Sequence, residues 1–482
     1  MHFLKKMKQR AAAAMVVAVA SVLTLGVGVA NAAPAPGDMP TGQGSITIHK
    51  HKDLGSSVKL NPDGTSSAPS DPLSGVEFTV TKINGLDLNK NEDWAKVKDL
   101  TVDKLGQDGT SRGTTQKVTT KADGTATTTK LDMGVYLVEE TGTGNNAITK
   151  KAAPFFVSIP LPFNGKWITD VHVYPKNVIQ PPGTKEVTDD TQTHKVGDVL
   201  EWTITTTATN DNPSAFGVVD ELKDYLDYVD NSAKVYVNGS SQPLTGVTAT
   251  KGTDPKKHVK ITLDDTARAQ IKKGDTVKFV LQTKVTSMPA EGVVENSAWP
   301  IDNDYNPFED PNVPTPPIVP TKDPYFGDYK FKKVDADTPG KALSGAEFGL
   351  FQCDGDQAAT TGAAIMTATS GNDGLVAFEG VYLGTFNKGT PATDAKKTFC
   401  LKETKAPAGY VLSDKVTRVE IAAGKVTTPV DQLSTVTNTP QDGPDLPLTG
   451  AAGTLLLTVV GIGLVGAGVA LYAVNSRSRK QR

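Results

Sequence analysis

Residues 167–177 alternate with a period of two. Trp167, Val171 and Val173 share one parity, and His172, Tyr174 and Lys176 share the other. That is the pattern of a β-strand with one face on a core. A single strand is therefore expected over 167–177, with Lys176 turned outward and Asn177 turned inward. Similar runs at 44–50, 76–80 and 136–141 extend the pattern. Abundant Thr and Val, many Gly and Pro and few long amphipathic stretches point to an all-β chain. At 482 residues the length suggests about three domains.

An internal repeat sharpens the division. Leu73-Ser74-Gly75-Val76-Glu77-Phe78 returns as Leu343-Ser344-Gly345-Ala346-Glu347-Phe348, and 136–141 returns as 399–404. Repeats of this kind indicate related folds. Modules are expected at 33–180, 181–318 and 319–441. Residues 81–130, rich in Lys, Thr, Asp and Gly, read as long exposed loops. The middle module should hold strands at 198–207, 216–220, 233–237, 259–263, 276–285 and 293–298, with a short helix within 264–272. Prolines between 306 and 324 suggest a semi-rigid linker or an ordered irregular connection.

Strand parity also turns ionisable groups inward. Lys50 shares parity with Ile46 and Ile48, Glu140 with Tyr136 and Val138, and Asn177 with Val171 and Val173. Lys185 goes with Val187, Asp220 with Val218 and Leu222, and Asn296 with Val294 and Ala298. Lys333 goes with Phe331, Glu403 with Phe399 and Leu401, and Asn438 with Val436. Lys195 is the rival to Lys185. Burying such groups uncompensated is costly. An apolar core, however, lowers a lysine pKa and raises a carboxyl pKa. A neutral amine can then attack the Asn carbonyl while the protonated acid polarises it and shuttles the proton. Ammonia leaves, and a neutral amide remains.

The two ends carry their own signals. Lys5, Lys6, Lys8 and Arg10 precede an apolar run to Val29 and then Ala30-Asn31-Ala32, so 1–32 reads as a secretory signal peptide. Leu446-Pro447-Leu448-Thr449-Gly450 precedes an uncharged apolar stretch, long enough to span a bilayer, and a basic tail, so 446–482 forms one unit. Residues 1–32 and 450–482 hold eight basic and no acidic residues. The segment between them carries 42 Lys+Arg against 53 Asp+Glu, a net charge of −11. Such an acidic surface does not suit nucleic acid. Cys353 and Cys400 are the only cysteines, and in an exported chain a lone pair is most simply one disulfide.

Six histidines, with no nucleophile elbow, phosphate loop or metal-ligand spacing, argue against an enzyme. His49 and His51 share the outward parity of their strand and offer only a weak metal pair. Asp302-Asn303-Asp304-Tyr305-Asn306 supplies oxygen ligands in the style of a calcium loop, although Pro307 stands where the turn glycine would be.

Three motifs carry a family resemblance. Residues 167–176 resemble the W-x-x-x-V-x-V-Y-P-K pilin motif, and Glu403-Thr404-Lys405-Ala406-Pro407-Ala408-Gly409-Tyr410 resembles the pilin E-box. The end at 446–482 resembles an L-P-x-T-G cell-wall sorting signal. The chain resembles the Gram-positive, sortase-assembled major pilins of Spa type, whose domains are Ig-like as in collagen adhesins. That resemblance implies three tandem Ig-like β-sandwiches: B-type, A-type or a variant, then B-type. It also implies cleavage between Thr449 and Gly450 by a class C sortase and joining of Thr449 to Lys176 of an identical subunit. A housekeeping sortase would transfer the fibre to peptidoglycan. Minor tip or base pilins and host surface receptors complete the implied partners. Internal isopeptide bonds are implied at Lys50–Asn177 with Glu140, Lys185–Asn296 with Asp220, and Lys333–Asn438 with Glu403. A monomeric wall-anchored adhesin accounts for the same ends and modules, but not for the full motif at Lys176.

Overall fold

The structure, a computed structural model, describes residues 38–441 apart from 56–59, 68, 189–192, 304 and 311–316. The expected signal peptide and sorting signal lie outside the described residues. Among those described, no helix is long and apolar enough to cross a membrane. The fold is all-β, and the chain forms two compact units. Of the described residues, one comprises 38–328 with 379–397 and 421–425; the other comprises 329–378, 398–420 and 426–441.

The first unit contains two separate large cores. In the first, strand Glu77–Asn84 pairs with Ser111–Thr119 on one side and Gly134–Gly142 on the other, and the latter pairs with Phe155–Ile159. Strand Gln43–His49 pairs in parallel with Asp170–Val173 and antiparallel with Thr125–Thr127. Ile46, Ile48, Phe78, Val80, Val138 and Val171 from these strands pack into one buried cluster. Alternate residues of each strand supply it, as a period of two requires.

The single strand expected over 167–177 is instead three. Lys166–Ile168 makes a hairpin with Leu161–Phe163, and Asp170–Val173 joins the opening strand. Lys176–Ile179 pairs in parallel with His51–Lys52 and antiparallel with Ile148–Lys150. Pro175 has no N–H to give a ladder, so pairing breaks just before Lys176. Trp167 leaves the Val171 core altogether, and its ring lies 5.7 Å from that of Trp94.

The loops expected over 81–130 are also corrected. Helix Asn91–Asp99, a 3-10 turn at Val102–Lys104 and strand Ser111–Thr119 occupy much of that stretch. Trp94 and Val97 pack over a cluster of Ile83, Leu88, Val135 and Leu137. Glu92 and Asp93 in the first helical turn and Lys96 and Lys98 in the last complement the helix dipole. Two apolar anchors in nine residues are too few to show as a helical stripe.

In the second core, Val199–Thr207 lies between Thr184–Val187 and Thr276–Val285. Phe216–Glu221 lies between His258–Leu263 and Ser297–Asp302 in another sheet. Trp202, Phe216 and Phe279 are at its centre, and the Trp202 indole donates to Thr283 Oγ1 at 2.8 Å. The expected helix is short, Asp265–Arg268, and is capped by Asp264, which accepts from the Ala267 N–H. The strand expected at 293–298 begins later, at Ser297. Before it the backbone is drawn elsewhere: Val294 N–H donates to Pro324, and Val293 bridges Tyr325. Of the proline-rich segment, Ile318 exchanges both backbone hydrogen bonds with Ala298, so its described part is an ordered irregular connection.

In the second unit, Glu347–Cys353 pairs with Thr360–Thr369 and with Lys396–Lys405. Residues 332–335 pair in parallel with Thr435–Asn438. Phe331 and Phe348 meet edge to face at 4.9 Å. A disulfide joins Cys353 to Cys400 across 47 residues.

Candidate crosslinking sites

Eight of the nine residues that parity turned inward are buried, and the ninth, Glu140, is half-buried with its side chain 1% exposed. Lys50, Lys185 and Lys333 are at most 1% exposed, and Asn177, Asn296 and Asn438 at most 3%. In each core an acid stands beside the lysine.

At the first site, Lys50 Nζ donates to Asn177 Oδ1 at 2.5 Å and lies 2.9 Å from Glu140 Oε2. Asn177 Nδ2 donates to Glu140 Oε1 at 2.7 Å. The Ala152 N–H adds a second donor to Asn177 Oδ1, also at 2.7 Å. Burial pushes the Lys50 pKa down to about 8, against the pull of Glu140.

The third site is built alike. Lys333 Nζ is 3.8 Å from Glu403 Oε1, and Asn438 Nδ2 donates to Glu403 Oε2 at 2.8 Å and to the Val411 carbonyl at 2.6 Å. Burial again lowers the lysine to about 8, opposed by Glu403. In the middle, Lys185 bonds directly to Asp220 inside the core. Asn296 also bears on Asp220, while both polar atoms of its amide lack a well-formed hydrogen bond. Burial lowers Lys185 and raises Asp220, so both shift toward their neutral forms. Lys195, the rival, is exposed.

Three features of these sites were not read from the sequence. First, each buried ammonium sits over an aromatic ring: Lys50 over Phe78 at 5.6 Å, Lys185 over Trp202 at 5.2 Å and Lys333 over Phe348 at 5.9 Å. Second, Phe78 opposes Glu140 and Phe348 opposes Glu403, each directly after a β-bulge at the preceding Glu. A bulge re-aims side chains, and here it sets the acid beside the lysine. Third, Gly124 and Gly374 take positive φ in Asp-Gly turns whose carbonyls accept from the N–H of Lys50 and Lys333. A Cβ on either glycine would come within 2.4 or 2.5 Å of the lysine carbonyl oxygen. The signal for the phenylalanines was present: both end the repeated Leu-Ser-Gly-x-Glu-Phe.

Lys176 is half-buried on the strand that carries Asn177. Thr449 and the motif 446–450 lie outside the described residues. Asp302, the first residue of the candidate calcium loop, uses its carboxylate on the chain itself: Oδ2 accepts from the Thr209 N–H and hydroxyl, and Oδ1 from Asn303. Asp304 is outside the described residues. Among the described residues no group of three His, Cys, Asp or Glu is placed to hold a metal.

Known proteins resemble this chain along most of its length. Residues 41–178 match the N-terminal domain of Gram-positive pilin subunit D1, and 327–389 match the SpaA prealbumin-like fold domain. Fimbrial subunit type 2 of Actinomyces naeslundii is 33% identical, with 92% of each chain covered. Fimbrial subunit type 1 of Actinomyces viscosus is 29% identical over 91% of each. The full-length major pilin SpaD of Corynebacterium diphtheriae superposes with a TM-score of 0.63 at 32% identity, covering 83% of this chain and 98% of its own. The major pilin SpaA of the same species shares the fold, with a TM-score of 0.60 at 22% identity over 82% of this chain and all of its own. These likenesses define a fibre-forming surface protein. The chain belongs to the Gram-positive fimbrial subunit family, and is a secreted, wall-anchored pilin of a pilus shaft.

Proposed function

We propose that a class C sortase polymerises this pilin by joining Thr449 of one subunit to Lys176 of the next, and that Lys50–Asn177, Lys185–Asn296 and Lys333–Asn438 close internal isopeptide bonds within three modules at 33–180, 181–318 and 319–441. The observation that carries the reading is the shared burial of a lysine, an asparagine and an acid's side chain in each core, with the asparagine within reach of the acid. The amine Nζ attacks the amide Cγ; the C–N bond to ammonia breaks, and the acid moves the proton from the attacking to the leaving nitrogen. Glu140, Asp220 and Glu403 are those acids.

Position links the two kinds of bond. Lys176 is the immediate neighbour of Asn177, so tension entering at Lys176 would cross to Lys50 after one residue. At the other end, Thr449 is eleven residues beyond Asn438. A pulled subunit would therefore carry load through covalent bonds at both of its ends, which suits a shaft. A housekeeping sortase would then pass the finished fibre to peptidoglycan. The assembly is tested with purified class C sortase, an LPLTG-containing donor peptide and this chain as acceptor. Peptide mapping should find the threonine carboxyl on Lys176; a product at any other lysine overturns the assignment.

The internal chemistry has a pH signature. A lysine with a pKa near 8 is about one part in ten neutral at pH 7, against roughly one in three thousand for a pKa of 10.5. The neutral amine is the attacking form. Ammonia loss at the first and third sites should therefore slow about tenfold per pH unit below 8 and level off above it. Refolding the denatured chain at pH 5.5 to 9 and following intact mass checks this. A flat profile would rule out the amine as the titrating nucleophile.

A further inference from the structure

The outer face of the strands leading to Lys176 carries a ladder of side chains that the internal chemistry does not use. Thr47 is paired with His172, His49 stacks on Tyr174 at 4.7 Å, and His51 is paired with Lys176. Paired residues on adjacent strands project to the same face, so His51 and Lys176 stand side by side. His49 Nε2 and His172 Nδ1 share a hydrogen bond at 2.8 Å, which ties the histidines of the two strands together.

His51 differs from the other two. It is 3% exposed, with the chain at Pro72 bridged against it. Its Nδ1 lies 3.1 Å from the His49 carbonyl. A carbonyl can only accept, so Nδ1 carries the proton and Nε2 presents its lone pair. Nε2 is buried and takes no hydrogen bond. The charges facing the ring are Lys176 on the neighbouring strand and Lys50 and His49 on its own; Asp123 acts on His49. Burial first, then Lys176, Lys50 and His49, oppose protonation of His51, against the pull of the His49 carbonyl. The ring therefore stays an unprotonated base at neutral pH.

We propose that His51 is the proton acceptor for Lys176 during polymerisation. This rests on the assignment of Lys176 as the acceptor lysine. An amine attacking the threonyl thioester becomes strongly acidic as its new bond forms. In the step proposed here the Lys176 Nζ–C bond forms, and the excess proton on Nζ passes to His51 Nε2. The tetrahedral centre then collapses, the C–S bond breaks, and the sortase cysteine leaves as thiolate. His51 returns its proton to that thiolate or to water. His51 is remote from Lys176 along the chain, and only the parallel register brings them together.

The test uses the exported chain from residue 33 carrying Thr449→Ala, so that it accepts but cannot donate, with class C sortase and an LPLTG-containing peptide. His51→Asn is the main variant: its side-chain amide can still donate to the His49 carbonyl, but it has no base at the Nε2 position. Loss of a positioned base typically costs a hundredfold or more, so kcat for transfer to Lys176 should fall about 100-fold. KM for the acceptor should stay within about twofold, and the acid limb contributed by a group titrating below pH 6.5 should vanish from the pH profile. His51→Gln, with an amide at the Nε2 position instead, should behave the same way. Unchanged ammonia loss in these variants shows that the cores still close.

An unchanged kcat in the variants, or a raised KM with kcat intact, overturns the proposal while leaving Lys176 as acceptor. If the parent chain gives no product at Lys176, the acceptor assignment itself fails and this inference falls with it.

Discussion

Wall extracts of cells carrying Lys176→Arg are expected to show only monomer on a denaturing gel, where the unaltered protein gives a ladder of high-mass polymer. Arginine preserves the positive charge and much of the side-chain length, so the half-buried site on strand Lys176–Ile179 is little disturbed. Its guanidinium stays protonated at any workable pH and is no nucleophile. The effect should therefore be all or none, and should leave export and folding alone. Lys176→Ala should give the same single band. A persistent ladder in Lys176→Arg would move the acceptor to another lysine. A single band in the unaltered strain would leave a monomeric wall adhesin.

The second large effect is expected from Asn438→Ala. Without the amide, Lys333 has nothing to join, and it remains buried with Glu403. Closing a loop of about 100 residues is worth roughly 4–5 kcal/mol in the chain-entropy account. For a unit of this size that corresponds to about 20 °C in melting temperature. Calorimetry should show the second unit melting that much earlier, and intact mass should show one ammonia fewer lost. The Cys353–Cys400 disulfide constrains the same unit, so reducing it and removing Asn438 should not have additive effects. If the variant melts with the parent and the parent itself has lost no ammonia at this site, the bond does not form there.

Much of this architecture was legible because β-strands have a short period. Parity alone placed Lys50, Glu140 and Asn177 on one face, although the strand carrying Asn177 is not continuous with the one carrying Trp167. The residues between them obey the same alternation in two separate strands, so the pattern survived while the element was wrong. Trp167 is the residue it misled: its ring partner, Trp94, is on a helix that the composition of 81–130 concealed. The middle site was harder to read. Lys185 has only Val187 to report its parity, and its neighbours lie on other elements: Asp220 on a strand of a different sheet, and Asn296 in the segment just before strand Ser297–Asp302. Choosing it over Lys195 required the burial that only the folded chain shows.

The β-bulges opposite Glu140 and Glu403 were out of reach for a related reason. A bulge shifts register by one residue, and nothing in the local alternation of Glu77-Phe78 or Glu347-Phe348 announces it. The repeat of both segments was visible, but its purpose was not. His51 is the clearest case of information held only in three dimensions: an outward-parity histidine became a candidate proton acceptor once its register with Lys176 was known.

The most direct test of the account is mass-spectrometric mapping of polymer cut from the wall and digested with trypsin. The expected product is a branched peptide in which the carboxyl of Thr449 is joined to Nζ of Lys176, with the residues after Thr449 absent. Linear peptides ending at a cleaved, unmodified Lys176 as the main form, or a branch at any other lysine, would contradict it.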